Sequence, residues 1–509
     1  MEQLYCVVAA VIAVCYLLYY YSTSTFNYWQ KKSIPCASGA VPGLGHMWPL
    51  TFMTRNPSDM YRDYYEQFPE SSMIGFYNLR TPSLILRDPE LIKNVLTTNF
   101  QSFAANAFDI DKNLDPLIAV NPFFTNEDRW KISRSQLSSA FTSGKLKYLY
   151  ESVQGVCGDM SSYLKRLHDK SGGKVQLELK DLCSKYTADI VSTGAFGVEG
   201  GSFVSEKDGP FREVGRAMFE PSFWKGLKQI FVFFIPIAAQ FLKLRVIPTK
   251  ADKFFRGIVK DVLRQRETHG IERPDFLQIM IQARKLGKVD DTFKEEYNDD
   301  VITSHASSFF IDGYETSSTT MSFALYQLAA HPAIQQRLRE EVNAVIEKHG
   351  GLTYEAVQDM SYMDMVLNES ARLFPAFATM IKRCTKEIEL TGSDGLTCQV
   401  TPGTGVVIIT TGLHRDPRFW PNPDVFDPER FSEKNKKDRH KFVFLPFGEG
   451  YRICPGQRMA TLQMKAGVAT ILQKYILDVS PRTKEPIELD PRYFMTFPTG
   501  GLWVNLTPI

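Results

Sequence analysis

The first pattern along the chain is an unbroken run of apolar and aromatic residues from position 4 to position 21, without a charged residue. A run of about 18 or more such residues can cross a membrane as a helix. No basic segment precedes it, and it ends in Tyr19, Tyr20 and Tyr21 rather than at a small-residue cleavage site, which favours an uncleaved anchor over a removed signal peptide. Lys31 and Lys32 follow and predict a cytoplasmic body. Residues 1–22 are therefore predicted to form a transmembrane anchor.

A stretch rich in proline and glycine follows the anchor. Pro35, Pro42, Gly43, Gly45 and Pro49 interrupt regular structure there and indicate a stiff linker over residues 23–50. We find no second linker, repeat or low-complexity tract beyond it. The remaining residues, 51–509, are therefore predicted to form one large body.

The periodicity of apolar residues in that body predicts a mainly α fold with small β-sheets. Residues 301–330 contain no proline and predict one long helix, with Asp299 or Asp300 as its cap. Apolar residues recur on one face of the next predicted helix between positions 334 and 345. The short run 406–409 predicts a strand.

The apolar run from Ile230 to Phe241 is harder to assign. It contains Pro236 and covers only about half of a membrane span. Two interpretations remain open, namely a buried core helix and an exposed patch that dips into the membrane.

Composition narrows the class of protein. The chain has 509 residues and a formal net charge of +2, so bulk charge gives no indication of nucleic-acid binding. The eight cysteines are scattered without a CxxC pair. This pattern fits free thiols in a reducing compartment rather than a disulfide framework.

One cysteine lies in a glycine-spaced loop near the C-terminus. The loop reads Phe447-Gly448-Glu449-Gly450-Tyr451-Arg452-Ile453-Cys454-Pro455-Gly456. Its glycines allow positive φ and a close approach to a flat group, and its N–H groups can stabilise the Cys454 thiolate that binds metal. Arg452 offers a guanidinium to an anionic group beside the metal. A thiolate on haem iron favours O–O cleavage; the alternative is a buried, inert cysteine.

This loop resembles the haem-binding loop of cytochromes P450. The resemblance implies that Cys454 is the iron ligand and that haem b (iron protoporphyrin IX) is the cofactor. Further haem-binding positions implied in the loop are Phe447, Gly448, Gly450, Arg452 and Gly456.

Two upstream features resemble the haem-contacting positions of the same family. Trp130 and Arg134 are four residues apart, so they share a helical face and can bind a carboxylate together. The resemblance implies that they bind a haem propionate. It also implies a haem-contacting cation about ten residues after Arg372; an ungapped count reaches Lys382, and we favour Arg383 for its planar fork.

A third feature resembles the structural network of this family. Glu369 and Arg372 are one helical turn apart and can pair, and Arg430 follows in a Pro-Glu-Arg-Phe segment. The pair alone is typical of a solvated surface bridge. The resemblance implies a buried network of all three, which is costly to break.

The predicted long helix contains Asp312, Gly313, Glu315 and Thr316 and resembles the oxygen-activation segment of the family. The resemblance implies that Thr316 hydrogen-bonds dioxygen and that Glu315 relays protons. An ordinary buried helix with a polar patch is the alternative.

Asp312 departs from the family pattern, since most microsomal members have Ala or Gly there. Asp312 and Glu315 are three residues apart, so we expect the two carboxylates to approach each other and at least one pKa to be raised. A covalent link between Asp312 and haem is one hypothesis. An altered proton path and a polar contact with substrate are the alternatives.

The resemblance covers nearly everything after the anchor and is closest to insect microsomal cytochromes P450. It implies a haem-thiolate catalytic domain over residues 51–509 that inserts one oxygen atom from O₂ into a lipophilic substrate. A hormone, fatty acid, plant toxin or insecticide remains open as that substrate. The pocket is expected near residues 100–123, 211–241, 309–312, 376–380 and 494–499.

The chain has no recognisable dinucleotide or flavin motif, so the electrons of NADPH are expected from NADPH-cytochrome P450 reductase, with cytochrome b5 as a second candidate donor. The expected location is the endoplasmic reticulum membrane with a cytoplasmic catalytic domain, and no nucleic-acid partner is expected. The alternative function is a haem-thiolate protein that binds ligands or rearranges peroxides without monooxygenase turnover.

Overall fold

The computed structural model describes residues 1–509 except 109, 119, 205–206, 274 and 286–297. The described part is mainly helical, as predicted. Its α-helices are α1 (Glu2–Thr23), α2 (Tyr28–Lys31), α3 (Trp48–Thr51), α4 (Pro57–Glu66), α5 (Pro89–Lys93), α6 (Glu127–Ser138), α7 (Ser143–Ser171), α8 (Leu179–Val191), α9 (Pro210–Phe219), α10 (Phe223–Phe234), α11 (Pro236–Phe241), α12 (Thr249–His269), α13 (Phe276–Lys285), α14 (Asp299–Ala330), α15 (Pro332–His349), α16 (Tyr354–Asp359), α17 (Ser361–Leu373), α18 (Thr410–Leu413), α19 (Glu433–Lys436) and α20 (Gln457–Leu472). Short 3₁₀ or π-helical turns occur at Asn94–Thr98, Phe100–Ser102, Ser139–Phe141, Ser192–Phe196, Pro428–Phe431, Lys441–Val443 and Gly450–Arg452.

The strands of the described residues form three small sheets. They are β1 (Met73–Asn78), β2 (Thr81–Leu86), β3 (Ala105–Asn106), β4 (Val175–Glu178), β5 (Thr379–Arg383), β6 (Ile388–Thr391), β7 (Thr397–Val400), β8 (Gly405–Ile409), β9 (Tyr475–Val479) and β10 (Trp503–Pro508). The largest sheet has the order β1-β2-β8-β5-β3, the second β4-β10-β9, and the third pairs β6 with β7. Among the strand pairs of the described residues, the pairing of β2 with β8 is parallel and the others are antiparallel. The predicted strand 406–409 lies in β8.

Helix α14 crosses the interior and positions the site. Its 32 residues span about 48 Å at 1.5 Å per residue. Many of its buried side chains are serines and threonines, and several of their hydroxyls form hydrogen bonds within the helix itself. The hydroxyl of Ser307 donates to the carbonyl of Ser304, and the hydroxyl of Ser322 donates to the carbonyl of Thr319. This explains how a polar helix can occupy the core. The predicted cap is wrong, because the side chain of Asn298, not that of an aspartate, accepts the N–H of Val301.

The apolar run 230–241 forms two helices rather than one. α10 ends at Phe234, and α11 begins at Pro236, since proline favours the first turn of a new helix. Ile230 is buried, whereas Ile237 and Phe241 are 83% and 85% exposed. The first part of the run therefore contributes to the core, and the exposed second part is compatible with the surface patch, whose contact with the membrane stays a prediction.

The N-terminal helix α1 is long and apolar enough to cross a membrane, and none of its residues is buried against the rest of the protein.

The segment predicted as a stiff linker, residues 23–50, has several side chains buried against the folded body. Trp29, His46 and Met47 are buried, and the indole N–H of Trp29 donates to the carbonyl of Phe76 in β1. Much of residues 23–50 is therefore packed on the folded body.

Candidate active site

Cys454 lies between the 3₁₀ turn Gly450–Arg452, which is part of the glycine-spaced loop, and the start of α20. The N–H of Cys454 donates to the carbonyl of Phe447 at 2.9 Å, which closes the loop. Gly448 and Gly450 have φ values of +70° and +77°. A Cβ on Gly450 would lie 2.1 Å from the carbonyl oxygen of Leu96. This fold of the loop therefore requires glycine at position 450 for both conformation and space.

The sulfur of Cys454 lies deep in the protein. Burial, with a smaller contribution from the charge of Asp312, raises the pKa of the thiol to about 11, whereas the backbone N–H groups of Gly456 and Gln457 and the charge of Arg134 act in the opposite direction. These two N–H groups therefore favour the thiolate form of Cys454. Metal binding replaces the proton of such a thiol and keeps the sulfur as thiolate.

Cys454 opens on an internal cavity of about 720 Å³. Each of the five predicted pocket segments contributes to its wall, which is otherwise mainly apolar. The predicted site residues in the wall are Trp130, Arg134, Asp312, Gly313, Thr316, Lys382, Phe447, Gly448, Arg452, Cys454 and Gly456. Glu315, Arg383 and Gly450 do not line it.

Three cations meet beside the cysteine loop. The guanidinium of Arg452 donates to the carbonyls of Ala104, Pro122 and Thr125 and lies 4.5 Å from the ring of Trp130. Burial lowers the pKa of Arg452 to about 10. Its contacts fix the guanidinium against the indole and leave its charge without a counter-ion among these partners.

The other two cations are Arg134 and Lys382. Arg134 donates to the carbonyl of Ile453 at 2.6 Å, and the ammonium of Lys382 donates to the side-chain oxygen of Asn106 at 2.8 Å. Burial, reinforced by the charge of Arg452, lowers the pKa of Lys382 to about 7. Within the described residues, neither cation forms an ion pair with a carboxylate. Lys382, rather than the favoured Arg383, is the one that faces the cavity.

The predicted structural network is assembled on the side of α17. Arg372 donates to both carboxylate oxygens of Glu369 at 2.7 and 2.8 Å, and both side chains are fully buried. Arg430 lies 3.3 Å from the same carboxylate, and the N–H of Asp427 donates to it. Arg372 also donates to the carbonyl of His414. The network thus joins α17 to the segment that leads to the cysteine loop.

Asp312 faces the cavity from α14. The side-chain amide of Asn121 donates to its two carboxylate oxygens at 3.1 and 3.3 Å. Surrounding protein raises the pKa of Asp312 to about 7, and the hydrogen bonds from Asn121 oppose that shift. One turn later, the hydroxyl of Thr316 donates to the backbone carbonyl of Asp312 at 2.5 Å.

Glu315 lies on a different face of α14, and this corrects the expectation that it approaches Asp312. Its carboxylate is 3.0 Å from the ammonium of Lys180 in α8, and both side chains are buried. Glu315 lines a separate cavity of about 210 Å³, together with Arg212 and Tyr314. The raised pKa of Asp312 is therefore due to burial and not to repulsion by Glu315.

Sequence reasoning missed three partners of the predicted residues. Asn106 and Asn121 both lie within the segment 100–123 predicted to form part of the pocket, but nothing in their spacing identifies them. Lys180 is separated from Glu315 by 135 positions and has no motif around it. No local signal in a single sequence identifies such partners.

The chain is similar to proteins of one family over nearly its whole length. The family model described as "Cytochrome P450" matches residues 37–504. "Cytochrome P450 9e2" of Blattella germanica is 32% identical over 99% of this chain and 98% of its own length. "Probable cytochrome P450 6g2" of Drosophila melanogaster is also 32% identical, over 98% of this chain and 97% of its own length.

Proposed function

This chain belongs to the cytochrome P450 family, and we propose that it inserts one oxygen atom from O₂ into a lipophilic substrate with electrons that a reductase takes from NADPH. Membership of the family implies haem as the cofactor and a monooxygenase activity. The observation that carries the proposal is the Cys454 thiol, held by its glycine loop at the wall of a large, mainly apolar cavity.

The residues at the cavity wall fit haem. Lys382 is buried and Arg134 and Arg452 are partly buried, and none of the three has a carboxylate partner in the part of the chain that the structure describes. Charges withdrawn from water without a partner are costly. The two propionates of haem would supply the missing negative charges, and Cys454 would supply the iron ligand. Haem bound in this way supplies the activation of O₂ and the oxidation of the substrate.

The chain's own residues prepare the site for this chemistry. The N–H groups of Gly456 and Gln457 stabilise negative charge on Cys454. Thr316 places a hydroxyl in the cavity wall, where it can hold a proton or pass one on. Glu315, in its ion pair with Lys180, supports α14 from outside this cavity. The apolar remainder of the wall favours a lipophilic substrate.

We propose the endoplasmic reticulum membrane as the location, with the catalytic domain on the cytoplasmic side. Helix α1, which can span a membrane, and the lysines at positions 31 and 32 support this orientation. NADPH-cytochrome P450 reductase is the proposed electron donor, with cytochrome b5 as a second donor. The absence of a recognisable flavin or dinucleotide motif in the sequence supports an external donor.

The test is product analysis by mass spectrometry after reconstitution with a microsomal reductase, NADPH and a mixed panel of lipophilic compounds. We expect an NADPH-dependent product heavier by one oxygen atom. A haem-loaded, reducible protein that consumes no NADPH and forms no product across the panel would contradict monooxygenase function and favour a ligand-binding haem-thiolate protein.

A further inference from the structure

The surroundings of the Asp312 carboxyl group are not explained by the proposed function. It faces the cavity, and its hydrogen-bond partner is the amide of Asn121 at 3.1 and 3.3 Å. Within the described residues, no cationic side chain forms an ion pair with it. An ionised carboxylate can accept about four hydrogen bonds, so Asp312 retains acceptor capacity toward the cavity.

Asn121 is held in a fixed orientation. Its side-chain oxygen accepts the N–H of Phe123 at 2.8 Å, so its amide N–H₂ group is the end that is directed at Asp312. Asp312 is therefore connected, through two hydrogen bonds, to the loop that carries Phe123 and Phe124, two rings of the aromatic wall of the cavity.

That wall is a continuous cluster of six phenylalanines, which we call the phenylalanine cluster. Neighbouring rings lie with centroids 4.9 to 6.4 Å apart. Its members line the same cavity as Asp312 and are Phe108, Phe123, Phe124, Phe233, Phe377 and Phe494. The faces of aromatic rings carry negative electrostatic potential and attract cations.

Two cations, Lys225 and Lys228, line the cavity away from the cysteine loop, and their surroundings bear on whether the ligand is anionic or cationic. The ammonium of Lys225 donates to the backbone carbonyls of Arg216 and Glu220 at 3.1 and 3.0 Å. Lys228 lines the wall, but the charge of Asp115 lies close to it and raises its pKa against the lowering effect of burial. Lys228 therefore already has an acidic neighbour. Asp312 has no such compensation, because no cationic side chain among the described residues forms an ion pair with it, and its hydrogen-bond partner is the neutral amide of Asn121.

We propose that Asp312, oriented by Asn121, and the phenylalanine cluster form a subsite that selects lipophilic substrates carrying a positively charged nitrogen. The cationic group contacts the carboxylate and the ring faces, and the apolar body of the substrate fills the remaining cavity. A cation at this place supplies the opposite charge that the Asp312 carboxylate, which is open to the cavity, lacks among the described residues. The subsite rests on the proposed function, because it shares the haem-holding cavity and would define the substrate class of the same enzyme.

The test uses a matched ligand pair, benzoylcholine and 3,3-dimethylbutyl benzoate, in which carbon replaces the quaternary nitrogen. A quaternary nitrogen cannot ligate iron, so both probes report on the cavity wall. Affinities are measured by calorimetry at pH 8 with the full-length, haem-loaded ferric protein in phosphatidylcholine nanodiscs. We expect benzoylcholine to bind at least about tenfold more tightly than its neutral isostere.

The variant Asp312→Asn keeps the size and a hydrogen-bonding side chain but removes the charge. We expect it to weaken benzoylcholine binding by at least about tenfold and to leave the neutral ester within about twofold. Glu347→Gln, which removes an exposed carboxylate of α15, is the matched control and should change neither affinity. Asp312→Glu retains the charge and should retain the preference for benzoylcholine.

Equal binding of the two probes by the wild-type protein would overturn the proposal, and so would an undiminished preference in Asp312→Asn. The wild-type comparison holds even if a variant fails to load haem. No reductase, NADPH or turnover enters the measurement. If the protein oxygenates neutral lipophiles but does not prefer benzoylcholine, the proposed function stands and the subsite is rejected. If it prefers benzoylcholine but shows no turnover, the subsite stands and the proposed function is rejected.

Discussion

The carboxylate of Glu315 lies 3.0 Å from the ammonium of Lys180, and this buried ion pair joins α14 to α8. Burial lowers the pKa of Lys180, and the charge of Glu315 opposes that effect. The ammonium also donates to the hydroxyl of Ser318 at 2.5 Å. Glu315, which the sequence associates with proton delivery, is therefore held by an ion pair to α8, outside the main cavity.

Replacing Lys180 by Met should destabilise the protein, because it leaves Glu315 buried and without its charge partner. We expect a loss of about 3–5 kcal/mol in the free energy of unfolding, measured by urea denaturation followed through haem absorbance. The double variant Lys180→Met/Glu315→Gln should be more stable than Lys180→Met alone. A single variant within about 1 kcal/mol of the wild type would show that water already screens this pair.

Glu369→Gln should be similarly costly, because Glu369 accepts from Arg372 through both oxygens and contacts Arg430. We expect a loss of about 3–5 kcal/mol in the same denaturation experiment. The control is Glu429→Gln, which breaks an ion pair to Arg337 whose side chains are about half exposed and should cost less than about 1 kcal/mol. Equal effects of the two changes would argue against a buried network.

Gly450→Ala should abolish haem binding by the loop. Its Cβ would lie 2.1 Å from the carbonyl oxygen of Leu96, at a residue with φ of +77°. The measurement is the ratio of haem to polypeptide after purification. Gly158→Ala, at a helical glycine with nothing within 4 Å of the added Cβ, should retain full haem content. Full haem content in Gly450→Ala would disprove the need for glycine here.

Thr316→Ala should separate NADPH consumption from product formation, because it removes the hydroxyl that can handle protons in the cavity wall. We expect the ratio of product to NADPH consumed to fall by about tenfold or more, within the range of a general acid–base contribution. Thr316→Ser retains a hydroxyl and should preserve most of the coupling. Unchanged coupling in Thr316→Ala would exclude a role for this hydroxyl.

The affinity for benzoylcholine should depend on pH through Asp312. Burial raises the pKa of this carboxyl to about 7, so the charged form that attracts a cation predominates above pH 7 and is lost below it. Between pH 8 and pH 6 the affinity should therefore fall about tenfold, since protonation competes with the ligand. The neutral ester and the Asp312→Asn variant should show no such change. A flat profile for the wild-type protein with benzoylcholine would mean that Asp312 does not contact the cation.

The sequence was sufficient for features that depend on neighbouring residues. The glycine spacing around Cys454 determines the loop, the proline-free stretch before His331 determines most of α14, and the uncharged run 4–21 determines α1. Backbone conformation and helical periodicity depend on neighbouring residues, so they can be predicted from one amino-acid sequence. The contact of Glu369 with Arg372 is also local, since three residues separate them on one helix.

Only the tertiary structure determined which of these residues line the same cavity and which partner each of them contacts. Lys382 and Arg383 are adjacent in β5, and successive side chains of a strand point to opposite faces, so the choice depends on which face meets the cavity. Asp312 and Glu315 are three residues apart, yet one meets Asn121 and the other Lys180. Those partners come from distant segments, which no local pattern can specify.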